Sequence, residues 1–289
     1  CSVPLSDIRD LTDKGARAWK WDSLEGEWLL LGKSTPIIPG MVIMLHADDG
    51  RYTPTEGWIP ESRERVSVVA GESEKGESYS KDPFSSSDWQ TIAEHTDAVF
   101  QRMTKILDTL GIADVWRHQL QEAVRWHDAG KAHPAFQARL KAEVPERSQN
   151  YPVAKAPDNA WRKGRLPNKP KIGDDRRKYF RHEMASGLLA LQNNRSDLIS
   201  YLAIAHHGKV RLSIRSMPGE YKPENGRRFA RGVWDGDRIS EISLGGDVKM
   251  AATTIDLSYM DMGDGPNGPS WLSRMIALRD SPDIGPFRL

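Results

Sequence analysis

The strongest constraint on this chain is a set of histidines at the ends and edges of helical stretches, centred on Trp126-His127-Asp128-Ala129-Gly130-Lys131. A neutral imidazole followed at once by a carboxylate, at the foot of an apolar helix, is a metal-binding arrangement, and the carboxylate can bridge two ions. Gly130 is expected to let the chain leave the helix through the left-handed region. Lys131 then places a cation where a phosphate would lie. His206-His207-Gly208-Lys209 is the second local signal. Two imidazoles at a helix end, with no acidic neighbour in sequence, repel when protonated and are comfortable neutral and metal-bound.

Helical periodicity places these groups. Trp89, Ile92, Thr96, Val99, Met103, Ile106 and Leu110 recur at spacings of three and four, which predicts one face of a long helix capped by Ser87 or Asp88 and ended by Gly111. His95 lies beside that stripe; taken alone it reads as a surface histidine. A second helix over residues 114–129 puts Trp116, Leu120, Ala123, Val124 and His127 on one face, with Asp128 about 100° away. A buried Asp there must be paired or bind metal. His133-Pro134-Ala135 opens a further helix. His182 starts the next, with Ala185, Leu188 and Leu189 on its face. Ser196 caps one that ends in His206-His207, and Ser270 precedes a short one bearing Trp271, Met275 and Leu278. Residues 210–270, rich in Gly and Pro, are expected to be loops and short strands over the cleft.

Residues 1–75 read differently, as a small β-rich module. Ala18-Trp19-Lys20-Trp21 and Trp28-Leu29-Leu30-Leu31 bracket a turn, Met41-Val42-Ile43-Met44-Leu45 suits a buried strand, and Val66-Ser67-Val68-Val69 is expected to close the sheet. The tryptophans Trp19, Trp21, Trp28 and Trp58 are expected to form its core. His46 reads as structural, and the module as a packing surface for a neighbouring domain or partner. Residues 76–87 form a linker of Gly, Ser, Glu and Lys character. The fold class is therefore mainly α, a helical bundle over residues 88–289 preceded by this module. Cys1 at the start and Gly285-Pro286-Phe287-Arg288-Leu289 at the end are expected to be cuts within a longer polypeptide.

Composition excludes several classes. No apolar run approaches a membrane span. A single cysteine rules out an internal disulfide framework and fits a reducing cytoplasm. The net charge of +1 gives no global attraction to nucleic acid, so local clusters must carry it. Nine basic residues against two acids over 162–181 form such a cluster, with Trp161 and Tyr179 as stacking platforms beside it. The alternative is a solvated loop. Lys209, Arg211 and Arg215 follow the histidine pair as candidate DNA-binding residues, and Arg227, Arg228 and Arg231 make a further basic group.

Five histidines and an aspartate exceed the three protein ligands usual for one catalytic zinc. They suit two ions about 3.5–4 Å apart, the arrangement for in-line displacement at phosphorus. Histidine-rich ligation favours Mn, Fe, Co, Ni or Zn over Mg.

His95, then His127-Asp128 with Gly130-Lys131 and the following Phe136-Gln137, then His182, then His206-His207-Gly208, resembles the HD nuclease domain of the CRISPR-associated helicase-nuclease of type I systems. The stretches His206-His207-Gly208-Lys209-Val210-Arg211, Arg228-Phe229-Ala230-Arg231-Gly232 and Gly285-Pro286-Phe287-Arg288-Leu289 resemble the I-U or I-G subtype, in which the HD domain follows the helicase. The resemblance covers residues 88–289. It implies a helical, metal-dependent nuclease that cuts single-stranded DNA opened by a CRISPR surveillance complex. In it His95, His127 and Asp128 would hold one metal and Asp128 would bridge to a second held by His182, His206 and His207, with Lys131 facing the scissile phosphate. The family's late Asp, carried in a helix of small residues, has no match here: Asp280 and Asp283 lie in a Pro-containing stretch. No Walker-type loop is present, so a helicase motor would belong to another domain of the same polypeptide. Two other readings stand beside this one: an HD phosphohydrolase of nucleotides or cyclic nucleotides, and a catalytically silent docking module that binds DNA.

Overall fold

In the computed structural model, residues 2–22, 27–32, 35–67, 88–141, 145, 151–162, 166, 169–171, 175–208, 210–217 and 219–284 are described. They fall into two compact units, Cys1–Lys81 and Asp82–Leu289. Among them no helix is long and apolar enough to cross a membrane.

The first unit opens with a helix, α1 (Leu5–Asp13), where only strands and turns were expected. Its buried side chains, Ile8 and Leu11, recur three apart, a spacing too short to stand out beside the strands that follow. The antiparallel sheet has β1 (Ala18–Asp22) between β2 (Glu27–Leu30) and β3 (Ile43–Leu45). Its register sets Trp21 opposite Trp28 and Trp19 opposite both Leu30 and Met44. The core is Ile8, Leu11, Ala18, Leu29 and Ile37, whereas Trp21 and Trp28 each keep 40 % of their surface in solvent. Trp21 and Trp28 therefore decorate a face rather than fill the core, because the period-two alternation of β1 and β2 turns Ala18 and Leu29 inward instead, while Trp19 and Trp58 are half-buried. Strand β3 is only half-buried, with Val42 exposed beside it. Val66 and Ser67 add no strand, and Val68 and Val69, like the expected linker, lie outside the described residues. A small hairpin, β4 (Tyr52–Thr53) with β5 (Gly57–Trp58), is tied to α1 by Trp58 Nε1 donating to Asp7 Oδ2 at 2.9 Å. His46 caps a turn by accepting from the Asp48 amide, a structural role.

The second unit is built around α5 (His182–Gln192). Every residue from Glu183 to Leu191 is buried, so α5 is enclosed on all sides, as a helix without a polar face must be. It packs on α6 (Asp197–Ala205), and α6 on α3 (Asp114–Trp126), which in turn packs on α2 (Ile92–Leu110). Close approach of α5 and α6 requires Gly187: a methyl there would lie 2.6 Å from the Ile204 Cβ. Helix starts follow their caps. Ser196 accepts from the Ile199 amide and Ser270 from the Ser273 amide, the latter opening α7 (Trp271–Arg279), after the short α4 (Pro134–Gln137) earlier in the chain. Helix α2 begins later than Ser87 or Asp88: Thr91 and Glu94 form a reciprocal capping box. Residues Gln90–Thr91 (β6) instead pair with Val153–Lys155 (β7). Gly111 ends α2 in the left-handed region, at φ 62°.

The buried side of α2 is Ile92, His95, Thr96 and Leu107, while Ile106 and Leu110 at the end of the predicted stripe are exposed. Beyond α6 the chain makes two-stranded ladders, among them β8 (Phe229–Ala230) with β9 (Val233–Trp234). These do not merely lie over a cleft. Val233, Ile239, Ile242, Leu244, Met250, Ile255 and Leu257 are all buried in the same core as α5. Burying seven such side chains contributes roughly 1.5–3 kcal/mol each.

Candidate metal centre

Helix α3 stops at Trp126, three residues earlier than its periodicity predicts. His127 caps it with helical backbone angles, and Asp128 steps out at φ −110°, ψ 8° into a 3-10 turn, Ala129–Ala132. Gly130 is not left-handed. It is required for close approach: a methyl there would lie 2.1 Å from the His182 carbonyl oxygen and 2.7 Å from the Ser186 nitrogen. The Gly130 amide donates to Ser186 Oγ at 2.8 Å. The turn is thereby pressed onto the first turn of α5, and Asp128 is brought against His182.

Asp128 is 2 % exposed and its two oxygens face different histidines. Oδ2 lies 3.2 Å from His95 Nε2 and 3.3 Å from His127 Nε2. Oδ1 lies 3.2 Å from His182 Nε2 and 3.9 Å from His206 Nε2. His207 Nε2 is 3.3 Å from His182 Nε2. Two sets of convergent donors result, His95–His127–Asp128 and His182–His206–His207. The histidine at 95 is thus a buried member of the cluster rather than a surface residue.

The rings are held in one orientation. Nδ1 of His127 donates to the Val124 carbonyl and Nδ1 of His206 to the Ala203 carbonyl, each at 2.7 Å. A carbonyl only accepts, so in the neutral ring the proton sits on Nδ1 and the lone pair on Nε2, toward Asp128. Gln90 Oε1 lies 3.3 Å from His95 Nδ1, and Glu183 Oε2 3.7 Å from His182 Nδ1. Glu183, fully buried and bound through Oε1 by Arg181 Nε at 2.6 Å, went unremarked in the sequence; its position directly after His182 was the available signal.

Burial lowers the pKa of His95 and His182 despite the attraction of Asp128. Burial, and then the charge of His182, holds His206 at about 2 and His207 at about 4. Burial raises Asp128, but His127 and Lys131 outweigh it and hold the carboxyl well below its usual range. Neutral imidazoles around an ionised carboxylate are the protonation state that divalent ions require. In the chelator-treated chain the unfolded histidines take up protons near pH 6.5 while His207 and His206 do not. This stability is complete above 6.5 and is lost as pH falls toward 4 and below; that of Asp128 is lost only below 3.8. The melting temperature should therefore be level above pH 6.5 and fall steadily from 6.5 to 4. A level profile across that window would contradict these burial effects.

Lys131 Nζ sits 2.7 Å from Asp128 Oδ2, with 12 % of the side chain exposed, so it neutralises the carboxylate. Arg211 and Arg215 are exposed close after the histidine pair in the chain, while Lys209 lies outside the described residues. Of the described basic residues in the segment 162–181, Arg162, Lys169 and Lys171 are exposed and Arg176, Arg177, Lys178 and Arg181 half-buried. Arg177 is bidentate on Asp237 and stacks at 3.7 Å on Trp234, and Arg162 Nε donates to the Leu140 carbonyl. Tyr179 is buried, and Trp161 packs edge-on against Phe136 while donating to the Ala156 carbonyl, so neither is a free platform. Asp280 is bound by Arg279 and exposed. A buried His133–Asp237 pair, 3.0 Å apart, also escaped the sequence reading because its partners lie 104 residues apart.

Searches among curated proteins and solved structures returned no match. The family model described as Cas3, HD domain matches residues 81–251, which take in all six residues of the cluster; residues 252–289, included in the resemblance, lie outside it. The chain belongs to the Cas3 HD family, the metal-binding nuclease domain of CRISPR systems.

Proposed function

We propose that the unit Asp82–Leu289 hydrolyses single-stranded DNA with two divalent transition ions, Mn, Fe, Co, Ni or Zn rather than Mg, bridged by Asp128. The observation that carries this is the division of the Asp128 oxygens between two histidine sets. The donors fit the ions: all six residues bring their ligand atoms together, and two rings are locked with Nε2 inward. His95, His127 and Asp128 would hold one ion, and His182, His206 and His207, with Asp128, the other. When bound, such a pair supplies Lewis acidity and a water of lowered pKa.

The protein's own groups do the rest. Val124 and Ala203 carbonyls aim the imidazoles. Lys131 balances the Asp128 charge. Arg211 and Arg215, both exposed, offer phosphate contacts along a strand. His206 keeps 21 % of its side chain in solvent, so the cluster is reachable from outside. In the full polypeptide we place this unit after a helicase domain, working in the cytoplasm on the strand that a surveillance complex exposes.

The test is circular single-stranded DNA incubated with the chelator-stripped chain, with and without Mn, Co or Ni. The reading predicts metal-dependent loss of the circle. Intact circles with turnover of nucleotides or cyclic nucleotides would replace it with the phosphohydrolase reading. Binding without cleavage under every metal would replace it with a silent docking module.

A further inference from the structure

The histidines of the cluster stand at opposite ends of their helices. His127 and His206 cap the C-termini of α3 and α6, where the last carbonyls have no intrahelical partner. Each ring takes one such carbonyl through Nδ1, from Val124 and Ala203, three residues back. His95 and His182 lie instead in the first turns of α2 and α5. No helical turn precedes His182: Arg181 is the N-cap, and Tyr179, three residues back, stands left-handed at φ 63°. Side chains take the place of carbonyls at both rings. Gln90 Oε1 lies 3.3 Å from His95 Nδ1, and Glu183 Oε2 lies 3.7 Å from His182 Nδ1.

Glu183 is a costly residue to place there. Its side chain is fully enclosed, and Arg181 Nε donates to Oε1 at 2.6 Å, a charge-assisted bond that keeps the carboxyl ionised. Oε2 is buried with no hydrogen-bond partner among the described residues. An exposed acid in the first turn of a helix is ordinary, since it answers the positive end of the helix dipole. For a buried acid with one oxygen unmatched, desolvation of the charge outweighs that small gain. The contact that Oε2 does have is His182 Nδ1, at ion-pair range and longer than a hydrogen bond. Across the same ring, His182 Nε2 lies 3.2 Å from Asp128 Oδ1 and 3.3 Å from His207 Nε2. If Nε2 offers its lone pair to an ion, the proton of the neutral ring sits on Nδ1, facing the oxygen that lacks a donor.

We propose that Glu183 is a positioning residue: its unmatched oxygen receives the Nδ1 proton of His182 and so keeps Nε2 available to the ion of the His182–His206–His207 set. The proposal rests on the two-ion reading above. A carboxylate behind an imidazole fixes its tautomer and raises its basicity as a ligand.

The test titrates zinc into the chelator-stripped chain and follows the histidine rings by nitrogen-edited proton NMR, with the His182 signal assigned by its loss in His182→Asn. In the zinc-loaded wild type, His182 should carry its proton on Nδ1, downfield of those of His127 and His206, which face uncharged carbonyls. Glu183→Gln keeps the shape and removes the charge. It should weaken one of two zinc ions roughly ten- to a hundredfold, weaken the other less, and move the His182 proton upfield. Met250→Ala, which truncates a fully buried core side chain outside the cluster, should lower the melting temperature and leave both affinities within about twofold of wild type. Equal zinc affinities in wild type and Glu183→Gln would overturn the proposal alone. So would a His182 Nδ1 without a proton in the zinc-loaded wild type, a result that decides the matter even if Glu183→Gln fails to fold. Equal weakening by Met250→Ala would assign the effect to a general loss of packing and overturn it too. A wild-type chain that takes up fewer than two zinc ions would overturn the two-ion reading with it.

Discussion

Asp128→Asn is expected to abolish metal-dependent cleavage, by roughly a thousandfold or more, a loss of about 4 kcal/mol of transition-state stabilisation. The carboxylate presents one oxygen to His95 and His127 and the other to His182 and His206. An amide of the same shape replaces one of these oxygens with a donor, so one half of the centre loses its bridging ligand. Lys131 also loses its anion while remaining largely buried. Leaving a charge unpaired in this way costs about 3 kcal/mol in the metal-free chain. Both effects are measurable, the first as cleavage rate at saturating Mn and the second by denaturant unfolding with chelator present. Full activity in Asp128→Asn would remove the bridge from the account.

Gly130→Ala is the second large expectation. The added methyl would meet the His182 carbonyl at 2.1 Å, the Ser186 nitrogen at 2.7 Å and the Ala185 Cβ at 2.8 Å. Two of these are backbone atoms of an enclosed helix and have no room to yield. Overpacking of this kind costs about 3 kcal/mol, a melting shift of roughly 10 °C in a chain of this size. The same clash pushes Asp128 away from His182, so activity should fall even below the melting transition. Gly111 offers the contrast. Its added methyl would meet nothing within 4 Å, so Gly111→Ala costs only the left-handed backbone, about 1 kcal/mol. Similar melting of the two variants would contradict the close-approach role of Gly130.

The members of the cluster were legible because their chemistry is local: a His-Asp pair, a His-His-Gly pair, and single histidines on helical stretches. Caps at Ser196 and Ser270 and the stop at Gly111 were legible for the same reason. What escaped depends on partners distant in sequence. Gly130 read as a left-handed exit because the constraint on it comes from His182 and Ser186, more than fifty residues on. His95 read as a surface residue because the apolar stripe of α2 has its C-terminal end, Ile106 and Leu110, in solvent, and the buried face is rotated toward Leu107. Arg177 and Arg181 counted as a basic rim until Asp237 and Glu183 came into contact with them. In the first unit, Trp21 and Trp28 counted as core by size, but strand alternation and the small inward residue Ala18 left them on the outer face. Periodicity reports the phase of one element. It carries no information about which side another element will cover.

Titration of the chelator-stripped chain with Mn(II), followed by metal count and electron paramagnetic resonance, tests the central claim most directly. The account predicts two ions per chain giving the signal of an exchange-coupled pair, with the coupling lost in Asp128→Asn. One ion per chain, or two without coupling, would show that Asp128 does not bridge and would contradict it.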